Sequence, residues 1–406
     1  MNTKKKLKYS AISLFSGAFG LDLGLEKAGF EIRACVEKDS QCCATIRKNR
    51  PEMVDLVLNE DIHRISARTL LKKAKLKRGE AFLVSGGPPC QPFSTVGRRK
   101  SISSGEGLLF EKFLDIVWGI YPKYFIFENV KGILSAAIQH KPLELRNKPG
   151  ARISKKQKLG SGWDFINRQF AEKLKAGRKA GYSLHVWELD ASEFGVPQKR
   201  KRIFIVGVRG LGKLDQPKGR YKNRPVTIRT AIGHLNGDYE TPGVDYLQYD
   251  ETRYRIFSTN LVKQGQNWTA LPESLQKKVM GQGFYATGGR VGFCRRLSWD
   301  KPSPTITTNP MGRATNLCHP EKPRPLNYKE CALLQGFPED WQFVGSVSQK
   351  YKQIGNAVPI KLATVIGRAI INGPCEKVKY PTSKREYLRY GATSILKTKK
   401  TLVKQC

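Results

Sequence analysis

Residues 9–37 read YSAISLFSGAFGLDLGLEKAGFEIRACVE, and this stretch decides the fold class. An apolar run, a glycine-containing turn, an amphipathic helix closed by Gly29 and a second apolar run ending at Glu37 predict a strand, a helix and a strand. Such a βαβ unit opens a doubly wound α/β sheet. Five more strands of a parallel sheet are predicted from apolar runs at 55–61, 81–87, 123–129, 183–191 and 202–209.

The composition of the sequence changes near residue 210, where Gly, Pro, Asn and Thr become frequent and the predicted strands become short. We expect one large domain interrupted by a smaller, irregular one. The expected boundaries are 1–210 for the first part of the large domain, 211–319 for the small domain, 320–375 for the rest of the large domain and 376–406 for a basic tail.

The chain is strongly basic, with 72 Lys and Arg against 34 Asp and Glu in 406 residues, a formal net charge of +38. Such an excess attracts polyanions, nucleic acid first and an anionic membrane second. Segment 139–180 holds twelve basic and three acidic residues, and the tail holds nine and two. The segment is either a solvated insertion or a nucleic-acid contact surface, and we expect this charge to attract phosphates irrespective of sequence.

The nine cysteines are scattered and contain no C-x-x-C pair. This pattern is typical of a reducing compartment and argues against a disulfide framework and a zinc knuckle. The apolar run after the basic N-terminus is too short for a signal peptide, and no window approaches the roughly 18 uninterrupted apolar residues of a membrane span. We therefore expect a cytoplasmic protein without a membrane partner.

Chemically interesting residues follow the predicted strands, where open α/β sheets collect their ligands. Gly17 and Gly20 form a tight turn after the first strand, and Glu37 is placed to accept hydrogen bonds from ribose hydroxyls. The spacing is G-x-x-G rather than G-x-G-x-x-G, so a purely structural turn remains an alternative. The full set expected at one crevice is Phe15, Ser16, Gly17, Glu37, Asp61, Pro89, Cys90 and Glu128.

Residues 86–94, GGPPCQPFS, present Cys90 from a chain stiffened by two glycines and two prolines. A free cysteine is usually a buried small hydrophobe. The rigid context and the position after a strand instead favour a nucleophilic thiolate.

Glu128 closes the apolar run KYFIF, so partial desolvation should favour its protonated form and suit a proton donor. A helix-capping or ion-paired carboxylate is the alternative. Arg200 and Arg202 open another strand and, by the period of two, share a face on which they could hold a carbonyl oxygen or a phosphate. A solvated basic strand edge remains the other interpretation of this pair.

Six motifs in order resemble the DNA (cytosine-5) methyltransferases, most closely the bacterial enzymes of restriction-modification systems. The resemblance covers residues 9 to about 370 and includes LFSGAFGLDLGLEKAGF, GGPPCQPFS, FENVKGIL, GVPQKRKRIFIVGVR, RPLNYKECALLQGFPEDW and YKQIGNAVP. It implies a Rossmann-like fold dependent on S-adenosylmethionine, with 211–319 as the target-recognition domain. It also implies double-stranded DNA as substrate, no metal, a cognate restriction endonuclease as a functional partner, and a monomer.

The resemblance assigns roles residue by residue. Cys90 would be the nucleophile that adds to cytosine carbon 6, and Glu128 would assist at N3 while Arg200 and Arg202 hold the base oxygen and support the site. Because a stacked base cannot be reached, the cytosine would be flipped out of the duplex. The cofactor would contact Phe15, Gly17, Gly20, Glu37, Asp61, Ile62, Leu109 and Asn356.

Four positions depart from the family pattern. Phe19 stands where glycine is common, and Lys38 stands where an aromatic residue often covers the adenine, so cofactor affinity is expected to differ. In the loop SGEGLLF, Glu106 replaces an arginine, which bears on loop closure over DNA. Ala357 stands where some members have serine.

Three other functions compete with this interpretation. A methyltransferase acting on transfer RNA shares the Cys and Glu motifs, although the long 211–319 segment favours DNA. A zinc-dependent deaminase needs P-C-x-x-C, and Phe93 occupies its second cysteine position. A catalytically inactive DNA-binding paralogue is disfavoured by the intact set Cys90, Glu128, Arg200 and Arg202. Candidates for reading DNA bases are Arg290, Arg295, Arg296 and Arg313.

Overall fold

The computed structural model describes residues 9–89, 107–139, 154–175, 181–210, 212–235, 247–285, 291–373 and 376–377. Several sequence predictions lie outside these ranges. They concern Cys90, Phe93, Glu106, Arg290, parts of the basic segment 139–180 and nearly all of the tail.

Seven strands form one sheet in the order β3-β2-β1-β4-β5-β7-β6. They are β1 (Tyr9–Leu14), β2 (Phe30–Glu37), β3 (Val57–Asn59), β4 (Leu83–Gly86), β5 (Tyr124–Val130), β6 (Tyr182–Asp190) and β7 (Lys201–Arg209). Every predicted strand is confirmed, but the prediction of a parallel sheet was wrong in one strand: β7 runs antiparallel between β5 and β6. The predicted strands 183–191 and 202–209 are joined by only ten residues, whereas a parallel pair needs a crossover of a dozen or more, so the short connection favours the antiparallel pairing that the structure has.

Helices cover both faces of the sheet, as expected for a doubly wound fold. The helices are α1 (Gly20–Ala28), α2 (Ser40–Asn49), α3 (Ala67–Ala74), α4 (Gly107–Ile120), α5 (Ser161–Lys173), α6 (Ile228–Ile232), α7 (Glu251–Ser258), α8 (Glu273–Met280), α9 (Tyr328–Gln335), α10 (Val347–Asn356) and α11 (Ile360–Asn372). On one face, α1 packs against α11, where a Cβ on Gly24 would lie only 2.3 Å from the Cβ of Ala363. On the other face, α3, α4 and α5 bury a second apolar cluster.

A small separate core lies within the predicted target-recognition domain. Its buried members are Ile256, Phe257, Val262, Leu271, Cys294 and Cys318. Leu214, Ile228 and Ile232, although inside the expected boundaries, pack with the core of the sheet. Leu297, Trp299, Ile306 and Leu317 pack with the core of the sheet as well, and Tyr249 is the first described residue that packs against the separate core. The domain boundaries themselves stay predictions.

Among the described residues, one stretch, Val347–Asn372, has the length and composition of a membrane span. It comprises α10 and α11 with Ala357, Val358 and Pro359 between them. In its most apolar window 61% is buried within the protein, and α11 packs against α1. Its apolar side chains therefore form part of the core.

Candidate active site at the carboxyl edge of the sheet

The parallel strands β1 to β5 bring their carboxyl ends to one edge of the sheet. Glu37 ends β2, Asp61 follows β3, Gly87 follows β4 and Glu128 lies near the end of β5. Because β7 runs the opposite way, its beginning lies at the same edge, with Arg202 in register opposite Val130 of β5. Because β7 is antiparallel, the side chain of Arg202 lies at the predicted crevice.

The turn after β1 is held by Glu37. The backbone N–H of Gly17 donates to Oε2 of Glu37 at 2.8 Å, and the backbone N–H of Asp39 donates to Oε1 at 2.8 Å. Each carboxylate oxygen retains a lone pair, so the side chain is fixed and can still accept from a diol. This arrangement fits the ribose of a nucleoside cofactor.

The turn also explains why Phe19 is an unusual residue at its position. Phe15 and Phe19 both have left-handed backbones, with φ of 58° and 74°. Such a conformation costs a non-glycine residue about 1–2 kcal/mol, which accounts for glycine being common at position 19. Phe19 is fully buried, and burial of an aromatic ring stabilises the fold by about 1.5–3 kcal/mol. The substitution is therefore accommodated by the core.

Asp61 lies beside Glu37 and pairs with Lys38. Its Oδ2 is 2.8 Å from Nζ of Lys38, and its Oδ1 accepts the backbone N–H of His63 at 3.0 Å. The hydrogen bond from Lys38 is the main cause that lowers the pKa of Asp61 below its usual value. Ile62 is buried directly after it. A carboxylate acceptor above an apolar side chain fits the amino group and ring of an adenine.

The other predicted cofactor contacts are spread around this edge. Phe15 and Leu109 both pack against the apolar cluster on the α4 side of the sheet. Gly20 begins α1, and Asn356 is exposed at the end of α10. Their contacts with the cofactor stay predictions.

Glu128 is paired with Arg202. Nε of Arg202 lies 3.0 Å from Oε1 of Glu128, and the two side chains are 12% and 13% exposed. Burial raises the pKa of Glu128 above its usual value, while the charges of Arg202 and Arg200 oppose the rise. A carboxyl group whose pKa is raised by burial suits proton donation.

The chain segment that leads to Cys90 is fitted around Glu128. A Cβ on Gly87 would lie 2.6 Å from Oε2 of Glu128, so only glycine allows this approach. Nδ2 of Asn129, which is 1% exposed, donates to the carbonyl of Pro88 at 3.4 Å. Sequence reasoning gave Gly87 only a part in holding the chain before Cys90 and gave Asn129 no role, although both belong to quoted motifs. They tie the segment before Cys90 to the strand that carries Glu128.

Arg200 differs from Arg202 in its surroundings. It precedes β7, is 1% exposed, and its Nη1 and Nη2 donate to the carbonyls of Ile306 and Gly355, each at 2.8 Å. The predicted contact of Arg200 with a base oxygen gains no support from this geometry. The hydrogen bonds indicate instead that Arg200 braces the segments around the site, while Arg202 is the cation that contacts Glu128.

Two buried glutamines were missed as site-supporting residues. Nε2 of Gln198 donates to Oε1 of Gln335 at 3.0 Å, and Oε1 of Gln198 accepts the N–H of Ile306 at 2.9 Å. Gln335 in turn donates to the carbonyl of Ile354 at 2.8 Å. Buried amide groups that bond to one another and to the backbone fix the segments that they join. The sequence did offer a signal for these glutamines, because both lie in motifs that resemble the family pattern.

The order of the strands and the carboxylates at their ends fit the α/β methyltransferase fold that the sequence motifs resemble. The family model for the C-5 cytosine-specific DNA methylase matches residues 9–146 and 161–372. The chain is 38% identical over 376 residues to the type II methyltransferase M.PspPI of Psychrobacter sp. (strain TA137), covering 91% of this chain and 81% of that protein. It is 35% identical over 369 residues to the type II methyltransferase M.Eco47II of Escherichia coli, covering 90% and 79%.

Solved structures show the same fold. A DNA modification methyltransferase encoded within an E. coli prophage matches with a TM-score of 0.57 at 21% identity, covering 90% of this chain and 99% of that one. The Dnmt2 methyltransferase of S. pombe matches with a TM-score of 0.51 at 17% identity, covering 90% and 99%.

The chain belongs to the C-5 cytosine-specific DNA methylase family. It is a DNA (cytosine-5) methyltransferase, and the family implies use of S-adenosylmethionine and flipping of the target base. Within the ranges that the structure describes, no cluster of three His, Cys, Asp or Glu could hold a metal ion.

Proposed function

We propose that the protein methylates carbon 5 of a flipped cytosine in a short, specific sequence of double-stranded DNA, as the protective enzyme of a restriction-modification system. It acts as a monomer in the cytoplasm, and a cognate endonuclease is its functional partner. The observation that carries the site assignment is the paired Glu128 and Arg202 at the carboxyl edge, beside the glycine that precedes Pro88, Pro89 and Cys90.

The reaction needs an activated ring, because carbon 5 of cytosine is a poor nucleophile. The thiolate of Cys90 forms a bond to carbon 6, and the ring electrons move toward N3, where Glu128 donates its proton. Arg202 holds the carboxyl group of Glu128 in place at 3.0 Å. Carbon 5 then takes the methyl group and loses its proton to a base. The departure of Cys90 from carbon 6 and the return of the N3 proton to Glu128 restore the ring, the thiolate and the acid.

S-adenosylmethionine supplies the electrophilic methyl group. Glu37 accepts hydrogen bonds from the ribose hydroxyls, and its orientation is fixed by the N–H groups of Gly17 and Asp39. Asp61 accepts from the adenine amino group, and Phe15 packs on the ring. The carboxylate acceptors and the apolar surface near them support this assignment.

The deciding experiment is bisulfite sequencing of plasmid DNA from cells that express the wild type or Cys90→Ser. We expect 5-methylcytosine at one recurring sequence with the wild type and background levels with the variant. A folded wild type that leaves the DNA unmethylated would contradict the proposal, and transfer of methyl groups to RNA alone would favour the transfer-RNA alternative. A 5-fluorocytosine duplex tests Cys90 separately, because the covalent adduct should require both S-adenosylmethionine and the thiol.

A further inference from the structure

Two basic segments of the predicted target-recognition domain lie side by side. The N–H of Asn316 donates to the carbonyl of Gly292 at 3.1 Å, and the N–H of Cys318 donates to the carbonyl of Arg295 at 3.2 Å. A Cβ on Gly292 would lie 1.8 Å from the carbonyl oxygen of Ala314, so the backbones are in close contact. Residues 291–297 and 312–318 therefore form one rigid unit, which we call the paired segment.

Three described arginines of the paired segment have different environments. Arg296 is 2% exposed, and its guanidinium donates to the carbonyls of Phe257, Pro320 and Glu321. Its hydrogen-bonding capacity is thus directed into the protein. Arg313 is exposed and makes no hydrogen bond or ion pair within the described residues. It is available to phosphates but is not held in one orientation.

Arg295 combines features that the other two lack. Its Nε donates to the carbonyl of Asn316 at 3.1 Å, and its backbone carbonyl accepts from Nδ2 of the same residue at 3.0 Å. Its two terminal nitrogens make no hydrogen bond to the part of the chain that the structure describes. Burial lowers the pKa of Arg295 to about 10, with no carboxylate contributing to the shift. A desolvated cation fixed at one nitrogen presents its remaining donors to an external acceptor.

The chemistry of the acceptor follows from this geometry. An arginine with a fixed fork offers two parallel donors, and the commonest specific arginine contact with DNA is the pair of acceptors O6 and N7 of guanine in the major groove. Phosphate contacts carry no direct sequence information and need no fixed orientation of the side chain, which suits an exposed cation such as Arg313. We propose that Arg295 reads one guanine of the target sequence; this inference rests on the proposed function.

The experiment compares wild type, Arg295→Lys, Arg295→Ala and the control Arg313→Ala. Bisulfite sequencing of the wild type first defines the target. Equilibrium binding of duplexes is then measured with S-adenosylhomocysteine present, using the target sequence and versions with 7-deazaguanine in place of each guanine in turn.

We expect one 7-deazaguanine position to weaken wild-type binding by about tenfold to a hundredfold. Arg295→Lys keeps the charge but lacks the fork, so that position should no longer affect its binding. Arg313→Ala should bind all the duplexes more weakly, keep the wild-type dependence on that position and show a shallower salt dependence.

Other outcomes overturn the inference. One is an Arg295→Lys enzyme that retains the wild-type dependence on every guanine. Another is a uniform loss of affinity with a shallower salt dependence, which would assign Arg295 to a phosphate. If neither Arg295 variant folds, the binding data of the wild type test the inference. Wild-type binding that is unaffected by 7-deazaguanine at every position would show that no guanine N7 is contacted. A wild type that methylates no DNA would contradict the proposed function itself. Failure of the proposed function can therefore be distinguished from failure of the inference about Arg295.

Discussion

Nε of Arg202 lies 3.0 Å from Oε1 of Glu128 across the boundary between an antiparallel strand and a parallel one. Burial raises the pKa of Glu128, and the positive charge of Arg202 beside it opposes that rise. Burial and the charge of Arg202 therefore act in opposite directions on the pKa of Glu128.

The first prediction concerns this balance. Arg202→Gln removes the positive charge, so the pKa of Glu128 should rise further and the fall of the methyl-transfer rate at high pH should move to higher pH. Single-turnover transfer of labelled methyl groups between about pH 6 and 9 measures the shift. Lys201→Gln, an exposed neighbour on the same strand, is the control. A descending limb at the wild-type pH in Arg202→Gln would argue against Glu128 as the acid.

Replacing the acid itself gives the second prediction. Glu128→Gln keeps the size of the side chain but has no proton to donate, so the rate of methyl transfer should fall by about 10²- to 10⁴-fold. Binding of S-adenosylmethionine should be unchanged within about twofold, since Glu128 lies outside the set of carboxylates assigned to the cofactor. Calorimetric titration of the cofactor separates the two effects, and near-normal turnover would remove Glu128 from its role.

The third prediction uses the close approach of Gly87 to Glu128. In Gly87→Ala the new Cβ would lie 2.6 Å from Oε2, so the carboxyl group must move and activity should drop by at least about tenfold. Gly233→Ala is the matched control, because its Cβ meets only the side chain of Arg229 at 3.2 Å. Equal activity in both variants would show that Glu128 tolerates displacement.

The fourth prediction concerns Asp22, a fully buried carboxyl group in the first turn of α1. Burial raises its pKa to about 7 against the opposing effect of the hydroxyls of Ser13 and Ser16. Between about pH 4 and 7 the folded state thus holds a proton that the unfolded state has released, and stability falls as pH rises. Asp22→Asn should remove this part of the pH dependence.

Above pH 7, Asp22→Asn should therefore be more stable than the wild type, by an amount on the order of a few kcal/mol. Urea unfolding at pH 5 and pH 8 measures the difference, and the exposed Asp300→Asn serves as the control. A variant with the same pH dependence as the wild type would show that Asp22 does not titrate in this range.

The fifth prediction concerns Lys38, which pairs with Asp61 at 2.8 Å. Because Lys38 competes with the adenine amino group for the same carboxylate, Lys38→Ala should bind S-adenosylmethionine more tightly, by up to about fivefold for an exposed pair. Lys352→Ala breaks a similar pair with Asp39 and should leave the affinity unchanged. Weaker binding in Lys38→Ala would mean that the lysine itself holds the cofactor.

The sequence was informative where the physical signal is local. Apolar runs predicted all seven strands because burial on both faces of a sheet selects such runs. The turn and helix from Ser16 to Gly29 followed from residues that are adjacent in the chain. The strand ends then placed Glu37, Asp61 and Glu128 at one edge without knowledge of any contact.

What could not be predicted depends on partners far apart in the chain. Arg200 and Arg202 looked equivalent by the period of two, yet Arg200 precedes the strand and binds carbonyls 106 and 155 residues away. The pairing of Lys38 with Asp61 and that of Gln198 with Gln335 likewise depend on how distant segments meet. No local pattern in the sequence encodes those distances.

The contact of Gly24 with Ala363 joins the first helix of the fold to its last one. A chain is synthesised from its N-terminus, so the inward face of α1 has no helical partner until residues 360–372 have left the ribosome. The sheet face beneath α1 and α11 therefore stays incomplete for most of translation. A chain that ends before residue 360 therefore leaves the face of α1 that meets α11 uncovered, including the point where Gly24 contacts Ala363.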